Sequence, residues 1–280
     1  MSTLYISDLD GTLLNKEKKI SERSKRILND CIREGMKFSI ATARMPYGCD
    51  YRLKDINLQI PGILTNGVFL YDFNKKQYIS AESIEPKCAT DVIELLEEHL
   101  ISCFVYVYYQ GGIHIYYGKE ELRRQTQYYS DRALEECKEV RLVQNLRETA
   151  KNGEVVYITY SGEKSMLEPI SEALKRMEGI HHSFYLNIYN GLYCLEIYSS
   201  RASKKAALLK LKTYVDCNEV VVFGDNWNDV PMIEIADRSY APDNAIEEIK
   251  QMVTGCIAGC NDDGVARFLR EEHERKHKMC

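Results

Sequence analysis

The chain has 280 residues, 45% of them hydrophobic and 28% charged, with a formal net charge of −5. That length allows one large or two medium domains with a core that needs no disulfide or metal staple. The mildly acidic balance argues against nucleic-acid and anionic-membrane partners, and no apolar run approaches the roughly 18 residues that span a bilayer. Ten cysteines are scattered singly, with no C-x-x-C pair. The start carries no basic n-region or signal-peptide h-region, so the expectation is reduced thiols in a cytoplasmic protein.

In chain order, Leu4-Tyr5-Ile6 reads as a short buried strand, and Ile20 to Arg33 as a helix behind Ser21 as N-cap. Met36 to Ala41 reads as a second strand, a helix follows Pro46, and Gly62 to Thr65 is a third strand. This strand–helix–strand rhythm predicts a parallel sheet with right-handed crossovers. A hairpin follows, from Val68 to Asp72 and Gln77 to Ser80. From Pro86 to Gly191 the texture becomes that of an inserted α+β unit. It has a helix over Ala89 to His99 and strands over Cys103 to Tyr109, Ile113 to Tyr117 and Val155 to Tyr160. A helix around Met166 to Met177 and strands near Ser183 to Ile188 and Tyr193 to Tyr198 follow. The parallel rhythm returns with a helix over Lys204 to Tyr214 and the uninterrupted apolar strand Glu219 to Phe223, then three helices. The expected organisation is an α/β, Rossmann-like parallel-sheet core over 1–85 and 192–280, with an α+β unit over 86–191. The closing run Arg270 to Lys278 mixes signs and reads as a solvated helix end.

In an open parallel sheet the functional crevice lies beyond the carboxyl ends of the strands. Polar residues meet that end four times: Asp8 and Asp10 after the first strand, Thr42 after the second, Ser203-Lys204 opening a helix, and Gly224-Asp225-Asn226-Trp227-Asn228-Asp229 after the long apolar strand. Taken singly, each has a plainer reading. An Asp after a strand forms turns, Thr42 is a strand-end hydroxyl, Lys204 a solvated helix residue, and Asp225 with Asp229 a capped helix start. Order and strand-tip placement together outweigh these. The set suits phosphoryl transfer: one carboxylate to attack phosphorus, a second to protonate the leaving alcohol, and a hard cation to quench their repulsion. A lysine and a hydroxyl would then hold the equatorial oxygens, with Gly11-Thr12 letting backbone N–H groups approach.

With these motifs the sequence resembles the haloacid dehalogenase superfamily of phosphatases, and closely its Cof-type branch with a large α/β cap (subclass IIB). The resemblance rests on Asp8-Leu9-Asp10-Gly11-Thr12-Leu13, Ile40-Ala41-Thr42-Ala43-Arg44, Ser203-Lys204 and Gly224-Asp225-x-x-Asn228-Asp229. Asn66-Gly67 and Asp263-Gly264-Val265-Ala266 add to it at both ends of the core. It implies Asp8 as nucleophile and Mg²⁺ ligand, and Asp10 as general acid, then base, lending its backbone carbonyl to the metal. It further implies Thr42 and Lys204 on the phosphoryl group, with Gly11, Ala43 and Asn228 beside it, and Mg²⁺ held by Asp225 and supported by Asp229.

Two departures stand out. Ala43 replaces a common Gly, and Trp227 is bulky where the family carries small residues; Trp227 reads as packing beneath the cap. In the insertion, Tyr106, Tyr108, Tyr109, Tyr116 and Tyr117 read as half core face, His114 as a strand-surface residue, and Arg123 and Arg124 as a solvated helix face. The function implied is Mg²⁺-dependent hydrolysis of small phosphorylated metabolites, sugar phosphates first, by a monomer or weak homodimer. A phosphomutase and a silent phosphometabolite-binding protein are the alternatives. A nicotinamide enzyme is disfavoured, since no G-x-G-x-x-G follows the first strand.

Overall fold

The computed structural model describes residues 2–119, 140–151, 153–187 and 191–278. β1 (Thr3–Ser7) is buried along its whole length, which is why it shows no polar–apolar alternation. It runs parallel to β12 (Glu219–Phe223) on one side and β2 (Lys37–Ile40) on the other. β13 (Arg238–Pro242) and β14 (Gly255–Ile257) extend the sheet beyond β12, giving the order β14-β13-β12-β1-β2, all parallel. The loops after β1, β2 and β12 therefore open at one end of the sheet.

The crossovers form where the pattern predicts. In α1 (Glu22–Arg33) the Ser21 hydroxyl accepts the Ser24 N–H at 2.9 Å, Glu22 and Arg33 complement the helix dipole, and Leu28, Cys31 and Ile32 are buried. α2 (Pro46–Leu53) opens on proline, whose missing N–H is no loss at that position. β3 (Gly62–Leu64), β4 (Phe69–Asp72) and β5 (Gln77–Ala81) form a small sheet, linked to β2 by a parallel bridge between Ala41 and Ile63.

The chain divides into two compact units, Met1–Ser80 with Ser203–Cys280, and Ala81–Ala202. The second unit carries a six-stranded sheet, β10-β11-β9-β6-β7-β8. Its strands are β6 (Phe104–Tyr109), β7 (Gly112–Tyr117), β8 (Val140–Leu142), β9 (Glu154–Gly162), β10 (Ile180–Leu186) and β11 (Tyr193–Ser199). All pairings are antiparallel except β7 with β8. On one face, α3 (Pro86–Glu98) and α4 (Lys164–Leu174) seal a core of Val92, Leu96, Leu167 and Ile170 against Val105, Ile158 and Leu195. Tyr116 packs against that core, while Tyr106 and Tyr117 are buried and Tyr109 is exposed. His114 lies half-buried in β7. Arg123 and Arg124 lie outside the described residues, as does the end of the strand expected to reach Ile188.

Three expectations shift. The unit boundary placed after Gly191 falls after Ala202, because β11 pairs with both β9 and β10 and carries residues 192–202 with it. β8, β13 and β14 were not foreseen: they are three to five residues long, and β13 and β14 contain Arg, Pro or Gly. The C-terminal run is not simply solvated, since Glu272 and His273 are buried in α6 (Gly264–Lys278). No helix among the described residues is long and apolar enough to cross a membrane.

Candidate active site

Asp8 is the first residue beyond β1, and its N–H continues the ladder by donating to the Phe223 carbonyl at 2.9 Å. Its side chain turns into a buried cluster. Lys204 opens α5 (Lys204–Val215), where the Ser203 hydroxyl caps the helix by accepting the Ala206 N–H. The Lys204 ammonium donates to Asp8 Oδ1 at 2.7 Å and to Asp229 Oδ1 at 2.6 Å, and all three side chains are almost fully buried. The other oxygen of Asp229 accepts the backbone N–H groups of Asp225 (2.9 Å) and Asn226 (3.2 Å), so both its oxygens are engaged. Gly224 makes this closeness possible, since a Cβ there would meet the Asp229 side chain at 2.6 Å.

Asp225 accepts the Thr12 hydroxyl at 2.8 Å. Gly11 takes φ +84°, and a Cβ on it would lie 2.3 Å from Asp225 Oδ2. The loops after β1 and β12 thus close on each other through a position only glycine fits.

Charge in the cluster is unevenly balanced. Burial drives Asp8 up to about 8, with Lys204 pulling down and Asp229 and Asp225 pushing up. Burial also raises Asp225 to about 6, against the Thr12 hydrogen bond. Burial disfavours the Lys204 charge, yet Asp229 and Asp8 more than offset it and hold the ammonium above the usual lysine range. Asp8, Asp225 and Asp229 each present a carboxylate oxygen, and these lie within 4.8 Å of one another. Three hard oxygen donors beside one ammonium fit Mg²⁺, which prefers carboxylates and leaves positions for water and phosphate.

Asp10 stands apart from this cluster. Arg44 grips it with a two-pronged pair, Nε to Oδ2 at 2.6 Å and the other prong to Oδ1 at 2.7 Å, and Lys18 approaches Oδ1 at 3.0 Å. Burial opposes ionisation, but these cations prevail and hold Asp10 down at about 2. The motif reading gave no role to Arg44 or Lys18. Arg44 was legible as a neighbour of Thr42; Lys18, in a left-handed turn, carries no such signal.

Thr42 is buried at the end of β2, its hydroxyl accepting the Arg44 N–H at 3.2 Å. Ala43 is exposed beside it. Asn228 and Trp227 are exposed on the turn before Asp229, and among the described residues the Asn228 side chain makes no hydrogen bond to the cluster.

A buried lysine thus bridges two carboxylates, with a third within metal-binding reach, at the tips of a parallel sheet. Residues 5–269 match the family model of haloacid dehalogenase-like hydrolases, and the chain belongs to this family as a phosphatase-type enzyme. It is 26% identical, over 94% of its length and 95% of the relative's, to the 5-amino-6-(5-phospho-D-ribitylamino)uracil phosphatase YwtE of Bacillus subtilis. It is 27% identical to the pyridoxal phosphate phosphatase YbhA of Escherichia coli, over 96% and 98% of the two chains. The crystal structure of TM0651 from Thermotoga maritima superposes with a TM-score of 0.76 at 27% identity, covering 97% of each chain.

Proposed function

We propose that the protein is a Mg²⁺-dependent phosphomonoester hydrolase of the cytoplasm that works through an aspartyl-phosphate on Asp8. The observation that carries this reading is the buried Asp8–Lys204–Asp229 chain with Asp225 beside it. An Asp8 oxygen attacks phosphorus, and the bond from phosphorus to the leaving oxygen breaks. Asp10 delivers a proton to that oxygen, then takes one from the water that attacks the aspartyl-phosphate, which frees Asp8 and inorganic phosphate. The ionised state in which Arg44 and Lys18 hold Asp10 suits the second half. The first half requires a proton on Asp10, and so an opened Arg44 pair.

Lys204 and Thr42 hold the equatorial oxygens, with Gly11, Ala43 and Asn228 alongside. Asp8, the Asp10 carbonyl and Asp225 would hold Mg²⁺, with Asp229 in support. When bound, the ion neutralises the repulsion between the carboxylate nucleophile and the anionic substrate.

Two named relatives act on small phosphate monoesters, which supports substrates of that size; within that class sugar phosphates are the first proposed. The eight cysteines among the described residues are free, in keeping with a reducing compartment. A monomer or weak homodimer is the assembly proposed. The test is phosphate release from a panel of small monoesters with and without Mg²⁺. Release that requires Mg²⁺ and is lost in Asp8→Asn supports the reading. Activity retained by that variant, or an isomerised product in place of free phosphate, overturns it.

A further inference from the structure

Thr65, Asn66 and Gly67 take positive φ in succession, at 51°, 52° and 100°. Glycine adopts this region freely and asparagine tolerates it, but a β-branched threonine is strained there. The turn is pinned from two sides. The Asn66 N–H donates to the Thr42 carbonyl at 3.0 Å, and the Thr65 N–H to the Arg44 carbonyl at 3.0 Å. Gly67 presses on Ser203, where a Cβ would lie 2.2 Å from the carbonyl oxygen. Ser203 caps the helix that begins with Lys204. Asn66 is thus one hydrogen bond from the Thr42 loop and one residue from the support of Lys204.

In this braced position Asn66 Oδ1 is buried, and no donor reaches it among the described residues. An unmet buried amide oxygen is costly, and backbone strain concentrates where surrounding structure is made to serve a ligand.

We propose that Asn66 is a specificity-determining residue whose side-chain oxygen accepts a hydrogen bond from a hydroxyl or amine on the alcohol half of the substrate. This rests on the hydrolase reading above. The phosphoryl group does not fill the role, because near neutral pH its oxygens are mostly ionised acceptors and repel Oδ1. A hydroxyl or ammonium near the ester oxygen supplies the missing donor.

Asn66→Gly separates the two reasons for an asparagine here, since glycine takes the same left-handed backbone and removes only the amide. The measurement is kcat/KM of wild type and variant on the best hydroxyl-bearing monoester of a sugar phosphate panel, and on p-nitrophenyl phosphate, whose leaving group has no donor. The expected result is a loss of about tenfold on the hydroxyl-bearing substrate, little change on p-nitrophenyl phosphate, and an unchanged melting temperature. Equal losses on both substrates, or none on either, overturn the inference while leaving the hydrolase reading intact. So does a wild type that hydrolyses p-nitrophenyl phosphate but no hydroxyl- or amine-bearing monoester. A wild type that releases phosphate from neither substrate overturns the hydrolase reading and the inference with it.

Discussion

On the proposed mechanism, Lys204 joins stability to chemistry in one side chain. Its ammonium lies buried between Asp8 and Asp229, so removing it leaves two carboxylates facing each other without a cation. Lys204→Met is expected to lower folding stability by about 3 kcal/mol in urea denaturation and to abolish measurable phosphate release. Added Mg²⁺ should restore part of the lost stability but none of the activity. The sequence made Asp8, Lys204, Asp225 and Asp229 legible because each follows a strand tip or opens a helix, where backbone direction alone brings side chains together. It did not make the Arg44 and Lys18 grip on Asp10 legible, because that depends on how far two long side chains reach from separate loops.

Among the elements, the starts of α1 and α6 are tied to each other. The Asp263 carboxylate accepts the hydroxyls of Ser21 and Ser24, and Asp263 itself is left-handed. Gly264 follows at a point where a Cβ would lie 1.7 Å from the Ala258 carbonyl oxygen. Ser21→Ala is expected to cost about 1 kcal/mol, the value of a lost cap. Gly264→Ala should cost about 2 kcal/mol from overpacking against backbone, so thermal unfolding should rank the glycine variant lower. The Asp263-Gly264 step was visible in the sequence as a family feature; its physical reason is this close approach. The amphipathic α1 and the apolar β12 were legible from periodicity alone. β13 was not, since Arg238-Ser-Tyr-Ala-Pro242 has no strand alternation and becomes a strand by pairing with β12 and β14.

Across the whole molecule, a charged network at the amino ends of β1, β12 and β13 secures the sheet end remote from the carboxylate cluster. Arg238 pairs with Glu219 at 2.8 Å and with both oxygens of Glu272 at 3.1 Å, and the Tyr5 hydroxyl donates to Glu272 at 3.2 Å. Lys276 donates to Thr3 at 2.8 Å and lies over the Tyr5 ring. Burial works against ionisation of Glu272 and Glu219, yet Arg238 at Glu272, and the Thr3 hydroxyl together with Arg238 at Glu219, hold both carboxyls below their ordinary range. Folded-state values lowered in this way mean that the unfolded chain binds more protons in acid. The stabilisation is therefore complete above the ordinary glutamate range and fades as pH falls through the lowered folded values. Urea midpoints should drop below about pH 4. Arg238→Met should lose about 2 kcal/mol at pH 7 and show a shallower acid slope. A solvated reading of the Arg270–Lys278 run missed this because charge alternation in sequence does not reveal which residue faces the sheet.

On the proposed mechanism Asp8 carries the phosphoryl group during turnover. Rapid acid quench of the protein during turnover of a labelled phosphomonoester with Mg²⁺, followed by peptide mapping, tests it most directly. The predicted result is a hydroxylamine-labile label on the peptide containing Asp8, absent without Mg²⁺ and absent in Asp8→Asn. Sustained turnover with no label on that peptide, or turnover undiminished in Asp8→Asn, would contradict it.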